Sequence, residues 1–483
     1  MRARHLQLLA GITLAGALLR FATLDVQSYW LDEVATANIL RHGFGGMISA
    51  VASGESTPPL YYIVAWLWSK LFGTGEVGLR SLSALFGALT IPLAFVLGRE
   101  LVGRRTGLVA AALVAFNPLL VWYSQEARSY ALMVLLTGLS LLAMLRVLER
   151  PSARRLAAWA TVSVAAIATH YFAGFLVGAE ALWLLYRAAP RRQVTAAVLA
   201  VAAAAAALLP LALHQRSTGA ARFISESSLV RRIAEIPKQF AVGYQGPLET
   251  PTTIVAMLLL AYAVVRLAAA PSRARGRAVA LAASGFATIA APLALALVGP
   301  DYLLSRNMLA AWLPLGLAAS AGFASHHAPR RGVAAAGLLC ALGLLMVVAV
   351  DIEPRYQRDD WRGAVRALGT SGQARAIIVT PPSGRIPLMF YLRDGARPVV
   401  PPGVDVRELD MVGMAPRLPG QPPAPPRPPV IAINQLSEFA RTQAETFTVV
   451  REGSATRQHI EATTSASPLD GRPGVMIYQP ASR

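Results

Sequence analysis

The chain has 483 residues, is 55% hydrophobic and has a mean hydropathy of +0.48, too apolar for an ordinary soluble protein. Its 45 basic and 26 acidic residues leave a net charge of +19; in a membrane chain such an excess gathers in cytoplasmic turns, and no nucleic-acid partner is expected. The single cysteine, Cys340, lies in an apolar run and excludes an internal disulfide framework or cysteine-based zinc site. The class is a polytopic α-helical membrane protein.

The first element is a mostly apolar run from Leu6 to Leu24, interrupted by Gln7 and Arg20. It has the outline of a signal peptide but lacks a small-residue cleavage site before Asp25, so we take it as a retained transmembrane helix. Arginine clusters then set the topology. They are Arg2/Arg4, Arg99/Arg104/Arg105, Arg150/Arg154/Arg155, Arg187/Arg191/Arg192, Arg266/Arg273/Arg275/Arg277 and Arg330/Arg331. Between consecutive clusters the chain must cross an even number of times. The pairs are 6–24 with 78–98, 106–123 with 129–148, 156–170 with 171–187, 194–213 with 252–269, and 278–298 with 307–324. A last span at 332–350 brings the total to about eleven, with the N-terminus inside and the C-terminus outside.

Residues 25–77 form one long outer loop in this scheme. Its stretch from Pro58 to Phe72 is apolar, short and rich in Tyr and Trp, and is expected to be a juxtamembrane or re-entrant helix. Tyr61, Tyr62, Trp66 and Trp68 then read as an aromatic belt, or as one wall of a groove for a prenyl chain. The same topology puts Asp32/Glu33, Glu126/Arg128, His170/Tyr171 and Asp301/Arg306 on the outer face. Carboxylates at a membrane boundary are costly and usually face a cavity. Glu180 is the main charge deep within a span, and reads as a snorkelling or helix–helix hydrogen-bonding residue rather than a catalyst.

Residues 1–353 thus form a membrane domain, and the tail from 354 to 483 changes character. Asp359-Asp360-Trp361 offers a cap to a helix ending near Leu368. Strands are expected at Ala376–Thr380, Val430–Asn434 and Gly474–Tyr478, with helical stretches at Ile386–Leu392 and Gln435–Ala444. The tail therefore reads as a small extracytoplasmic α/β domain, with an extended proline-rich loop at 416–429.

Several motifs recur together. They are Tyr29-Trp-Leu-Asp-Glu33, Thr57-Pro-Pro-Leu-Tyr-Tyr62, Tyr123-Ser-Gln-Glu-Ala-Arg-Ser-Tyr130, Thr169-His-Tyr171, Leu304-Ser-Arg-Asn-Met-Leu309 and Asp360-Trp-Arg362. As a set they resemble the bacterial branch of glycosyltransferase family 39, related to protein O-mannosyltransferases and the lipid A aminoarabinose transferase. The resemblance runs over most of residues 20–370 and implies the GT-C fold. It implies transfer of a sugar from a polyprenyl-phosphate donor to an acceptor outside the cytoplasmic membrane. Asp32 would be the acceptor-activating carboxylate, with Glu33 beside it, and Glu126 the second acid of the site. One departure stands out: Arg306-Asn307 occupies a place where relatives commonly have Arg-Tyr.

Chemistry fits this implication. A hydroxyl acceptor is a poor nucleophile and needs a base within hydrogen-bond reach, a role a carboxylate fills. Negative charge grows on the leaving phosphate, and Arg128 and Arg306 suit its oxygens because a guanidinium binds them in a bidentate way. A single displacement would invert the anomeric centre. Tyr29, Trp30, Tyr61, Tyr123, His170 and Tyr171 are candidate pocket residues. A divalent cation, Mg²⁺ or Mn²⁺, is an open option, with Asp32 and Glu126 as its ligands. The expected partners are the lipid-linked sugar donor, a glycan, lipid or protein acceptor, and membrane lipids.

Structural alternatives stand beside each assignment. Asp32 and Glu33 fit a helix cap, Glu126 and Arg128 a structural ion pair, Arg306 an interfacial anchor, and His170-Tyr171 a hydrogen-bonded turn. A transporter or flippase of lipid-linked sugars is the competing function. It calls for charges near the bilayer midplane and internal repeats, whereas the ionisable residues here concentrate at one interface.

Overall fold

The computed structural model describes residues 2–219, 224, 227–325, 329–369, 375–380 and 382–392, and beyond Leu392 the strands named below. The chain divides into two compact units. One comprises 1–24 and 36–352, the other 25–35 and 353–483. Residues 25–35 therefore belong with the tail, not with the membrane part where the sequence reading put them. The division falls inside a single helix, α2 (Leu31–Leu40).

The first unit is all helical. It begins with α1 (Arg2–Phe21) and, after α2, continues with α3 (Phe44–Gly54), α4 (Leu60–Phe72), α5 (Glu76–Leu101), α6 (Arg104–Phe116), α7 (Pro118–Ser124), α8 (Tyr130–Glu149), α9 (Ala153–Thr169) and α10 (Ala173–Arg187). Then follow α11 (Arg191–Ala207), α12 (Leu209–Ser217), α13 (Leu229–Val242), α14 (Glu249–Ala268), α15 (Ser272–Val298), α16 (Trp312–Phe323) and α17 (Pro329–Ile352). A helix lies at each stretch read as a span. By length and composition six helices among the described residues can cross a membrane, or seven if the bent pair α6–α7 is one span. The expected juxtamembrane helix is α4, too short at 13 residues to cross alone.

Packing follows the small residues. A Cβ on Gly98 of α5 would come within 2.9 Å of Gly107 Cα on α6, so these helices meet backbone to backbone. Gly322 of α16 similarly lies against the Ala263 carbonyl of α14. Outer faces are apolar: Leu14, Leu182, Leu258, Phe286 and Leu297 are between 63% and 71% exposed, as a lipid-facing surface requires. Glu180 is buried and joins three helices, its Oε2 accepting from Trp159 Nε1 of α9 at 2.9 Å and from Ser140 Oγ of α8 at 2.5 Å.

The break between α6 and α7 has a local cause. Pro118 has no N–H, and its ring disfavours helical backbone at Asn117. Asn117 becomes the cap of α7, its Oδ1 accepting from Leu120 N–H at 3.0 Å, and the two axes differ by 59°. Arg20 of α1, fully buried, takes up the carbonyls at this break. It donates to Val114 O at 2.8 Å, Ala115 O at 3.0 Å and Ser124 Oγ at 3.0 Å.

Among the described residues the second unit carries α18 (Trp361–Leu368), α19 (Arg385–Tyr391) and eight strands. Asp360 caps α18, its Oδ1 accepting from Gly363 N–H at 2.9 Å. Strands β1 (Arg375–Thr380), β2 (Ala396–Val399), β4 (Glu408–Gly413), β5 (Val430–Ile431) and β8 (Gly474–Pro480) form a sheet in the order β2-β8-β1-β4-β5. Only β1 and β4 run parallel within it. Strands β3 (Asp405–Val406), β6 (Val449–Glu452) and β7 (Arg457–Ile460) form a second sheet in the order β3-β7-β6. Trp361, Leu368, Ile377, Val379 and Leu388 pack as a small core between α18, α19 and β1. The proline-rich loop 416–429 and the expected helix 435–444 lie outside the described residues.

Candidate active site

In the helical unit the site residues gather around the turn between α7 and α8. Ser124 ends α7, and the Gln125 amide fixes the turn, donating to Leu19 O at 2.9 Å and Thr23 Oγ1 at 2.7 Å. Glu126 follows, 1% exposed, and the Arg128 N–H donates to its carbonyl at 2.8 Å.

The Arg128 side chain goes elsewhere. Its Nη1 and Nη2 each donate to one carboxylate oxygen of Glu55 at 2.8 Å. Tyr62 Oη and Thr36 Oγ1 accept from Nη1 at 2.9 and 3.2 Å. Both members of the pair are buried, 9% and 5% exposed. Arg128, expected at a donor phosphate or in an ion pair with Glu126, is engaged in this structure by Glu55. Glu55 was missed because a lone carboxylate after a short apolar helix carries no pattern. Tyr61 and Tyr62 are also fully buried and packed ring edge to face, so they are core residues, not a belt. Trp66 and Trp68 remain partly exposed.

Glu126 and Arg306 both act electrostatically on the phenols of Tyr123 and Tyr244. Those two hydroxyls share a short hydrogen bond. The Tyr130 ring packs on Tyr123 with centroids 4.7 Å apart, and lies 5.5 Å from the His170 ring. Burial holds the Tyr244 phenol protonated well beyond the usual range, so it donates or accepts hydrogen bonds without ionising. His170 sits in the turn after α9, its Nδ1 accepting from Phe172 N–H at 3.3 Å. Burial, then the positive charges of Arg128 and Arg306, push the imidazole below its ordinary range and keep it neutral. Tyr171 donates to Gln215 Oε1 at 2.9 Å, and Gln215 in turn holds the carbonyls of Val51 and Thr57.

Asp301 is not the partner of Arg306. It pairs with Arg232 of α13 at 2.8 and 2.5 Å, and this contact holds its carboxyl below the usual range. The partner acid again lay far off in sequence.

In the second unit the segment leading into α2 and Asp32 is tied down at three consecutive residues, Gln27, Ser28 and Tyr29. Ser28 Oγ donates to Asp359 O at 2.8 Å and accepts from Trp361 N–H at 2.9 Å. Gln27 Oε1 accepts from Arg358 N–H at 2.9 Å, and Tyr29 N–H donates to Tyr391 Oη at 2.7 Å. Tyr29 is fully buried, its ring 5.7 Å from that of Phe390. Glu33, also fully buried, meets Arg358 Nη1 at 3.5 Å, and that guanidinium lies 5.8 Å from the Trp30 ring. Glu33, expected beside Asp32 in the site, thus has Arg358 as a charged neighbour. Asp32, in the first turn of α2, stays half-buried.

Among the described residues no three of His, Cys, Asp or Glu come together in a group that could hold a metal ion.

The helical unit and the tail with its two sheets have the GT-C fold. The fold is related to that of ArnT and the O-mannosyltransferases. Residues 56–214 match the family model for dolichyl-phosphate-mannose-protein mannosyltransferase. ArnT from Cupriavidus metallidurans bound to undecaprenyl phosphate superposes with a TM-score of 0.52 at 16% identity, over 95% of this chain and 98% of that one. Its apo state gives the same TM-score and identity over 98% and 97% of the two chains. No curated protein sequence matches.

Proposed function

We propose that this protein is a multi-pass membrane glycosyltransferase moving a sugar from a polyprenyl-phosphate donor to an acceptor hydroxyl outside the cytoplasmic membrane. The observation that carries this reading is the buried Glu126 within the helical unit, whose charge, with that of Arg306, bears on the phenols of Tyr123 and Tyr244. A charged group in a membrane interior needs a function to offset its desolvation, and an arginine beside neutral donors suits a phosphate. The family match and the fold of ArnT, a protein that binds undecaprenyl phosphate, support the same donor class.

Roles follow from accessibility. Asp32 takes the proton of the acceptor hydroxyl as it attacks the anomeric carbon. The glycosidic C–O bond breaks on the opposite face, which inverts configuration, and the electron pair leaves with the phosphate. Arg306 neutralises that charge as it develops, with Tyr123 and Tyr244 as neutral hydrogen-bonding groups. Turnover after chelation, and after Mg²⁺ or Mn²⁺ is restored, shows whether a cation shares the task of Arg306. The reading takes the topology expected from the arginine clusters, with Asp32, Glu126, Arg306 and the tail on the extracytoplasmic side of the cell membrane.

The test is incubation of the purified protein with a panel of polyprenyl-phosphate sugars and glycan, lipid and peptide acceptors, scored by mass spectrometry. Sugar should leave at least one donor in wild type and not in Asp32→Asn. Intact donors throughout the panel would refute the assignment.

A further inference from the structure

At the opposite, arginine-rich helix ends of the first unit lies a cavity of about 360 Å³. It is walled by Leu101 at the end of α5, Leu267 of α14 and Ala321 of α16, with Arg273, Arg277 and Ser325 as its polar members. No carboxylate lines it among the described residues. Arg273 and Arg277 are exposed. Arg277 Nη1 reaches the Leu101 carbonyl at 3.5 Å, the limit of a hydrogen bond. Ser325 is 5% exposed, and its Oγ has no hydrogen-bond partner among the described residues. A buried hydroxyl without a partner costs free energy unless a ligand completes it.

From this we infer a second site, separate from the glycosyl-transfer residues, for the phosphate of an anionic membrane lipid. The two guanidinium groups match phosphate oxygens, and Ser325 Oγ supplies a third donor at the inner wall. The occupant is a lipid because the cavity adjoins lipid-facing surface. Val264 and Val265 of α14 and Val279 of α15 are between 52% and 67% exposed next to it. A phosphate seated there lays its acyl chains along these valines, and basic pockets between helices at a membrane surface suit such headgroups.

The experiment uses the full chain in phosphatidylcholine nanodiscs doped with photoactivatable phosphatidylglycerol, with adducts mapped by peptide mass spectrometry. Label should fall within 264–279 and 321–325. Unlabelled phosphatidylglycerol should compete, and inorganic phosphate should not. Arg273→Ala/Arg277→Ala should lower occupancy about 30-fold, as expected for two basic residues near an anionic surface. Ser325→Ala, which removes only the orphan hydroxyl, should lower it by a smaller factor with an unchanged melting curve. Arg154→Ala/Arg155→Ala, at another basic turn, should leave it within about twofold of wild type. Equal loss in both arginine pairs would reduce the effect to general surface charge and overturn the site. Competition by inorganic phosphate would overturn its assignment to a lipid.

Discussion

The two acidic motifs, Asp32-Glu33 in one unit and Glu126-Ala127-Arg128 in the other, read alike in sequence but resolve by complementary means. In the first the base candidate is half-buried and its neighbour Glu33 is held by Arg358. In the second Glu126 stays with the phenols, and it is the arginine that is held, by Glu55. Each motif therefore has one charge paired with a distant residue, Glu33 with Arg358 and Arg128 with Glu55. In both, the fixing partner lies far along the chain: Glu33 and Arg358 are 325 positions apart, Arg128 and Glu55 are 73.

The largest effects should come from the charges assigned to chemistry. Asp32→Asn should lower turnover by roughly 10²–10⁴-fold, the range for loss of a general base, with an unchanged melting curve. Near-normal turnover would break the comparison and pass the role to Glu126. Arg306→Ala should nearly abolish turnover, and Arg306→Lys should weaken both donor KM and kcat because the planar fork is lost. Wild-type kinetics in the Lys variant would make Arg306 an anchor.

The anchors should show in stability first. Glu55→Gln leaves Arg128 buried beside a neutral amide, and removing one partner of such a pair costs about 3–5 kcal/mol. Thermal unfolding in detergent checks this. An unshifted transition would return Arg128 to the list of phosphate ligands. In the other motif Arg358→Ala should lower kcat about tenfold with donor KM unchanged, by loosening the loop that positions Asp32. Arg358→Lys should recover part of the loss. If Arg358→Ala moves KM alone, Arg358 touches donor directly.

The smallest effect is on pH. Arg232 depresses the folded-state value of Asp301. The pair's stability is therefore complete above the unfolded carboxyl value of about 3.9, and is lost as pH falls through the lower folded value. Asp301→Asn should flatten the acid limb of the melting-temperature profile. An unchanged limb would show that other carboxylates set it.

What was legible in the sequence is what leaves a periodic or local mark. Apolar runs and arginine turns marked the helical stretches, and Asp360 marked the start of α18 through its own next turn. Glu180 was readable as a helix–helix bonding residue because a lone carboxylate among apolar neighbours has few other uses. Long-range polar partnerships left no such mark. Neither Glu55, Arg232 nor Tyr244 sits in a motif, yet each decides what its partner is free to do. Nor does local sequence reveal that residues 25–35 belong with the tail, since hydrogen bonds from Ser28 and Gln27 reach residues 331 to 333 positions away.

The kink at Pro118 has a consequence for how the protein is made. Arg20 sits in α1, which leaves the ribosome ahead of α6 and α7, and its carbonyl partners at the kink lie 94 and 95 residues later. At about 5–20 residues per second, the interval before they exist is about 5–20 s. Through that interval the guanidinium must stay hydrated, snorkel to the interface or wait beside the translocation machinery. The first helix is thus a provisional insertion, made permanent only when the broken helix arrives to receive its charge.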